Sequence, residues 1–147
     1  MKRKLIKNGV IITVDPKDTV WQKGWILVEG DKIHSMGEGE APEPQEGWEV
    51  VVASHMAVLP GIVDVHTHVC GSPFKGMTED AQNGFYGFAL PMERLLTPES
   101  TYTLSLLGAA ECLTAGVTCI NDIYHFMRDT ARAVAQLGMR GVLAHKI

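Results

Sequence analysis

The sequence is short of cysteine, short of aromatic residues and free of long apolar runs. Its 147 residues include three cysteines, Cys70, Cys112 and Cys119. Odd in number and without paired spacing, they argue against a disulfide framework and fit reduced thiols in a cytoplasmic protein. The longest apolar stretches are far too short to span a bilayer. The N-terminal stretch MKRKLIKNGVIITVD starts basic but has no sustained apolar segment and no small-residue cleavage site, so it does not read as a signal peptide. Basic charge is not in excess either. With 13 Lys and Arg against 17 Asp and Glu, the net charge is −4, and neither nucleic acid nor an anionic membrane is an expected partner. What remains is ordinary globular material, 46% hydrophobic and 20% charged, with enough apolar side chains for a core.

Residues 1–57 and 58–147 read differently. In the first part, β-rich runs alternate with turn signals: KLIKNGVIITVD, WILVEGDKIHSMGEG and WEVVVASHMAVLPG. Asn8-Gly9 and Glu29-Gly30-Asp31 have hairpin turn chemistry, and EGEAPEPQEG is a polar, proline-containing loop. This pattern predicts a small antiparallel β unit. From residue 58 the period changes. VLPGIVDVHTH reads as a strand buried on both faces, and the long glycine-containing loop VCGSPFKGMTEDAQNGFYGF follows. ALPMERLL is a short apolar helical turn. A helix then opens at Thr97-Pro98-Glu99, with Thr97 as cap, and closes at Gly116. Its apolar stripe is expected along Leu104, Leu107, Ala110 and Cys112 or Leu113. VTCIND is a second strand, RDTARAVAQLG a second helix ending at Gly138, and GVLAHKI a third strand. This order is that of βαβ units on a parallel sheet.

Two histidines end the first of these strands. Residues i and i+2 of a strand face the same way, which puts His66 and His68 on one face, roughly 7 Å apart at the backbone. Sites in parallel α/β architectures gather at the C-terminal ends of strands. Imidazole is a common metal ligand, and carboxylate or further imidazole must complete the shell. Asp64, two residues deeper, is expected on the same face, either orienting an imidazole or bonded to backbone. Cys70 is chemically able to be a third ligand, but a small buried thiol is the simpler reading.

LPGIVDVHTH resembles the first-strand motif of the amidohydrolase superfamily, in which Pro-Gly-(x)4-His-x-His supplies the first two metal ligands. HTHVCGSPFKGMTED, ALPMERLL and AGVTCINDIYHF together resemble the branch containing S-adenosylhomocysteine/methylthioadenosine deaminases and triazine hydrolases. The resemblance covers essentially the whole chain. It implies an α/β fold: the first three βα units of a TIM (β/α)8 barrel at 58–147, preceded at 1–57 by part of a composite β-sandwich domain. It implies His66 and His68 as ligands of one divalent metal ion, zinc or, as the alternative, iron. Glu93, in Pro-Met-Glu, matches a glutamate that holds the substrate's ribose, although it also suits a helix-start carboxylate. Asp122 matches a position beside the pocket, in a capping or outer role. His125 and His145 are the remaining substrate-facing candidates. Two departures weigh against an adenosylhomocysteine-like substrate. The loop before Pro-x-Glu, where these enzymes often carry tryptophan, reads QNGFYGF, with Phe85, Tyr86 and Phe88 as stand-ins. His145 stands where they carry an arginine.

A complete barrel of this type needs about 250 residues, and the family's later ligands, two histidines and an aspartate, are not in this sequence. The chain is therefore expected to be the N-terminal part of a longer enzyme and to hold no catalytic residue of its own. The implied reaction is metal-assisted hydrolysis of a C–N bond, releasing an amino or chloro substituent from a purine-, pyrimidine- or triazine-like ring. The expected partner is a small-molecule substrate, and the full-length protein is expected to be a homo-oligomer. Two alternatives stay open: an amidase or lactamase of the same superfamily, and an inactive metal-binding or interaction fragment.

Overall fold

Alternating burial builds the first strand. Along RKLIKNGVII the side chains of Leu5 and Ile11 are buried with Gly9, and the intervening residues are half-buried, as a period of two requires. A computed structural model describes residues 2–79 and 82–146. Asp80 and Ala81 of the long loop and Ile147 of the GVLAHKI segment lie outside the described residues. The chain divides into two compact units, Met1–Pro60 and Gly61–Ile147.

The first unit contains β1 (Arg3–Ile12), β2 (Val20–Glu29), β3 (Lys32–Glu38), β4 (Glu49–Val52) and β5 (Ala57–Val58). The sheet order is β3-β2-β1-β4, with β5 also on β1. β1–β2 and β2–β3 are antiparallel, but β4 and β5 run parallel to β1, so the sheet is mixed rather than antiparallel. The turn at Glu29-Gly30-Asp31 forms, with Gly30 at φ 64°. Asn8-Gly9 makes no turn. It lies inside β1 as a bulge, with Asn8 at φ 65° and the register slipping between Lys7 and Gly9. A bulge and a tight turn ask for the same left-handed residue, so this dipeptide alone does not separate them.

The second unit is built on three parallel strands, β6 (Ile62–Thr67), β7 (Val117–Tyr124) and β8 (Arg140–His145), in that order. A 3-10 turn at Val69–Phe74 follows β6. A π-helical turn at Phe85–Ala89 then runs into the short α1 (Leu90–Glu93). Helix α2 (Pro98–Thr114) opens on a reciprocal cap: the Ser100 N–H donates to the Thr97 hydroxyl, and the Thr97 N–H donates to the Ser100 hydroxyl. It closes before Gly116, at φ 87°. Helix α3 (Met127–Gln136) buries Met127, Thr130, Ala133 and Val134.

Of the expected stripe of α2, Leu104, Cys112 and Leu113 pack partly buried against the core, but the fully buried line is a different one. It runs through Thr101, Ser105, Gly108 and Ala109, while Leu107 is exposed. Small residues are needed there because the 3-10 turn lies against the helix. A Cβ on Gly108 would sit 2.0 Å from the Val69 carbonyl oxygen. The core proper joins Val69, Ala109, Ile120, Val134 and Met139, on the side of the sheet that faces α2 and α3. The strand expected to be buried on both faces is not. Ile62, Val63 and Val65 are exposed, as are Ile123 and Val142. β6 is an edge strand, and among the described residues both helices pack on one side only. No described helix is long and apolar enough to cross a membrane.

Candidate functional site

The Pro-Gly that precedes β6 has a steric task. A Cβ on Gly61 would lie 2.2 Å from the Thr118 hydroxyl oxygen, so only glycine lets β6 begin this close to β7. The strand then bulges. Asp64 pairs with Ile120, but Thr67 pairs with Asp122, three residues of β6 against two of β7. Simple alternation therefore fails between Asp64 and Thr67. The Asp64 carboxylate turns onto the backbone and accepts the His66 N–H at 3.1 Å. Of the two roles expected for Asp64, the geometry provides the backbone bond.

Beyond the bulge the two imidazoles converge, with ring centroids 5.1 Å apart and planes near perpendicular. His68 also ends the strand and starts the 3-10 turn. Asp122, fully buried on β7, holds that junction. One carboxylate oxygen accepts the Val69 N–H at 3.1 Å. The other lies 3.6 Å from His68 Nδ1 and has no hydrogen-bond partner among the described residues. Burial pushes the Asp122 carboxyl above its ordinary range, opposed by the Val69 N–H and by His68. A carboxylate behind a histidine is the usual means of fixing an imidazole that faces a metal.

Glu93, at the end of α1, is the second focus. Its Oε2 accepts from His125 Nε2 at 3.0 Å and from Lys146 Nζ at 2.7 Å. Burial raises its pKa, but the bonds to Lys146 and His125 outweigh that and hold it below the usual value. Tyr124 stands beside the same carboxylate. Burial, followed by the charge of Glu93, pushes its phenol well above the normal range. The Tyr124 ring lies 5.3 Å from that of His68, linking the two groups of residues.

A cleft of about 620 Å³ brings both groups together, lined by His66, His68, Phe74, Phe85, Glu93 and Lys146 among others. His125 lines a smaller neighbouring cleft that shares Glu93 and Lys146. His145 lines neither. The side chain that reaches the cleft from the end of β8 is that of Lys146, the next residue. Lys146 is the residue that sequence reasoning missed, and no local pattern marks it, because it stands one residue past the strand. Of the three aromatic stand-ins only Phe85 reaches this cleft, with Tyr86 edge-on to it at 5.1 Å.

The donor set is two imidazoles. Among the described residues no group of three His, Cys, Asp or Glu side chains could hold an ion. Cys70 is fully buried with Leu96, Tyr124 and Met127, and burial raises its thiol pKa. It packs as a small apolar group. His66 and His68 therefore fit a metal as two ligands of a larger shell.

The family model described as the amidohydrolase family matches residues 57–147. The chain belongs to that family. It is 34% identical over 144 residues to the 5-methylthioadenosine/S-adenosylhomocysteine deaminase of Syntrophomonas wolfei, covering 97% of this chain and 33% of the relative. An adenosine deaminase from Xanthomonas campestris with bound zinc superposes with a TM-score of 0.84 at 25% identity, over 95% of this chain and 33% of that one. A triazine hydrolase from Arthobacter aurescens superposes equally well, TM-score 0.84, at 18% identity, over 99% of this chain and 36% of that one; at that identity the likeness is one of fold. The chain spans about a third of the length of the curated relatives it matches.

Proposed function

We propose that this chain supplies the first metal-binding portion of a hydrolase that removes an amino or chloro substituent from a purine-, pyrimidine- or triazine-like ring. In this reading residues 1–57 are the N-terminal part of a composite β-sandwich domain. Residues 58–147 are the first three strands and two helices of a TIM (β/α)8 barrel. The observation that carries it is the convergence of His66 and His68 at the C-terminal end of a parallel strand, with the buried Asp122 carboxylate behind His68. Membership of the amidohydrolase family and the deaminase relatives support the same chemistry.

A divalent ion held by His66 and His68, zinc in first place, would supply a water acidic enough to be hydroxide near neutral pH. The chain's own residues do the rest of what is assigned here. Asp122 fixes the His68 ring and clamps the turn behind it. Asp64 holds the bulge that turns His66. Glu93 offers an acceptor for hydroxyl donors on the substrate, in the cleft that Phe74 and Phe85 close with apolar surface. Catalytic zinc normally has three protein ligands and a water, so two imidazoles hold an ion weakly, and this chain by itself is expected to bind metal without turning over substrate.

Titration of the metal-free chain with zinc, followed by native mass spectrometry and calorimetry, tests the reading. One zinc per chain is expected, lost in the His66→Ala/His68→Ala double variant. Asp122→Asn should weaken it by roughly tenfold, the scale of an outer partner. Equal zinc binding by the parent chain and the double variant would sink the proposal.

A further inference from the structure

Lys146 reaches Glu93 from just past β8. Three separate segments meet on a single oxygen there: the end of α1 through Glu93, the loop after β7 through His125, and the residue after β8 through Lys146. His125 Nε2 and Lys146 Nζ both donate to Oε2, at 3.0 and 2.7 Å. The Lys146 backbone is itself fixed, because its N–H donates to the Tyr124 carbonyl at 2.9 Å. The lysine stem thus starts from an anchored point and ends on a carboxylate that is only 12% exposed. An ionised carboxylate has about four lone-pair positions, all acceptors. His125 and Lys146 take two, both on Oε2, and the Tyr124 phenol is a further donor beside the same carboxylate; Glu93 and Lys146 line the cleft that also holds His66 and His68.

We infer that Lys146 is a positioning residue for Glu93: with His125 it pins Oε2, and so leaves Oε1 as the acceptor for hydroxyl groups of a ligand in the cleft. The inference rests on the reading of Glu93 as substrate-binding. It adds a selectivity consequence. Lys146 offsets the charge of Glu93, so the pair recognises neutral hydrogen-bond donors, such as the hydroxyls of a sugar, in preference to cations. An arginine can replace this lysine because it also donates from a fixed positive charge. A methionine of similar length cannot.

The test uses the 147-residue chain and its Lys146→Met, Lys146→Arg and Glu93→Gln variants. Adenosine and 2′,3′-dideoxyadenosine serve as probes, with binding followed by ligand-observed NMR. The Glu93 carboxylate is followed by carbon-13 NMR, and circular dichroism checks that each variant is folded. In the parent chain adenosine should bind more tightly than the dideoxy compound. Lys146→Met should weaken adenosine roughly tenfold, the scale of one hydrogen bond to a charged group, and leave dideoxyadenosine unchanged. The Glu93 signal should move and titrate at higher pH. Lys146→Arg should restore both readouts. A parent preference for adenosine that survives Lys146→Met, or an unmoved Glu93 signal, would overturn the inference alone. Equal binding of the two nucleosides by the parent chain, matched by Glu93→Gln, would overturn the reading of Glu93 and the inference with it.

Discussion

The parallel sheet has two faces of similar apolar content and very different surroundings. On one, Ile120 is fully buried beneath Ala109 of α2 and Val134 of α3. On the other, Val142 is 65% exposed, and Val65 at the β6 edge 72%. Apolar runs in strands report how much each face could bury, not what lies over it. The candidate site stands at the strand ends, and the buried Asp122 and Tyr124 tie His68 to the closed side. Substitutions can show how differently the two faces contribute to stability.

The largest effect is expected where the site depends on close packing. Gly108→Val should lower stability by about 3 kcal/mol, because any Cβ there meets the Val69 carbonyl and must push the turn behind His68 away. Gly87→Ala, with open space around it, should stay within about 0.5 kcal/mol. Urea denaturation of both variants measures the contrast. Next comes the comparison of faces. Ile120→Ala should cost about 2 kcal/mol, through lost burial and the cavity left behind, whereas Val142→Ala should cost less than about 0.5 kcal/mol. Comparable losses would mean that the second face is covered in solution.

The smallest effect is a pH dependence. Folding holds the Glu93 carboxyl below its ordinary value of 4.5, so its ionised form binds Lys146 and His125 better in the fold than in the unfolded chain. That contribution is complete above about pH 4.5. It is lost as pH falls through the depressed value. Glu93→Gln should flatten the acid limb of the melting-temperature profile and leave its neutral plateau nearly parallel to the parent's. An unchanged acid limb would mean that these ion pairs are as well solvated folded as unfolded.

Much of the second unit was legible because its signals are local. Thr97-Pro98-Glu99 announces a helix start through capping chemistry, Gly116 and Gly138 supply the positive φ that ends each helix, and strand and helix periods alternate cleanly. The misreadings all concern which way something faces. Asn8-Gly9 carries the same left-handed preference in a bulge as in a turn. Leu107 fits a helical stripe, but the true stripe is set by the turn against Gly108, which no pattern of hydrophobicity reveals. β6 follows a period of two until a bulge between Asp64 and Thr67, set by pairing with β7, interrupts it. His145 was named for standing where the resembling enzymes carry an arginine, whereas the side chain that reaches the cleft is that of Lys146, one residue past β8. In each case the deciding contact is distant in sequence.

The bond from the Val69 N–H to Asp122 spans 53 residues. Its consequence lies in the order of events during synthesis. A nascent chain that has released His66 and His68 but not yet β7 carries both imidazoles without the carboxylate that clamps the turn behind them. Closing so long a loop comes before the contacts that reward it. The histidine pair thus leaves the ribosome before β7, and the turn behind it is clamped only once β7 has followed.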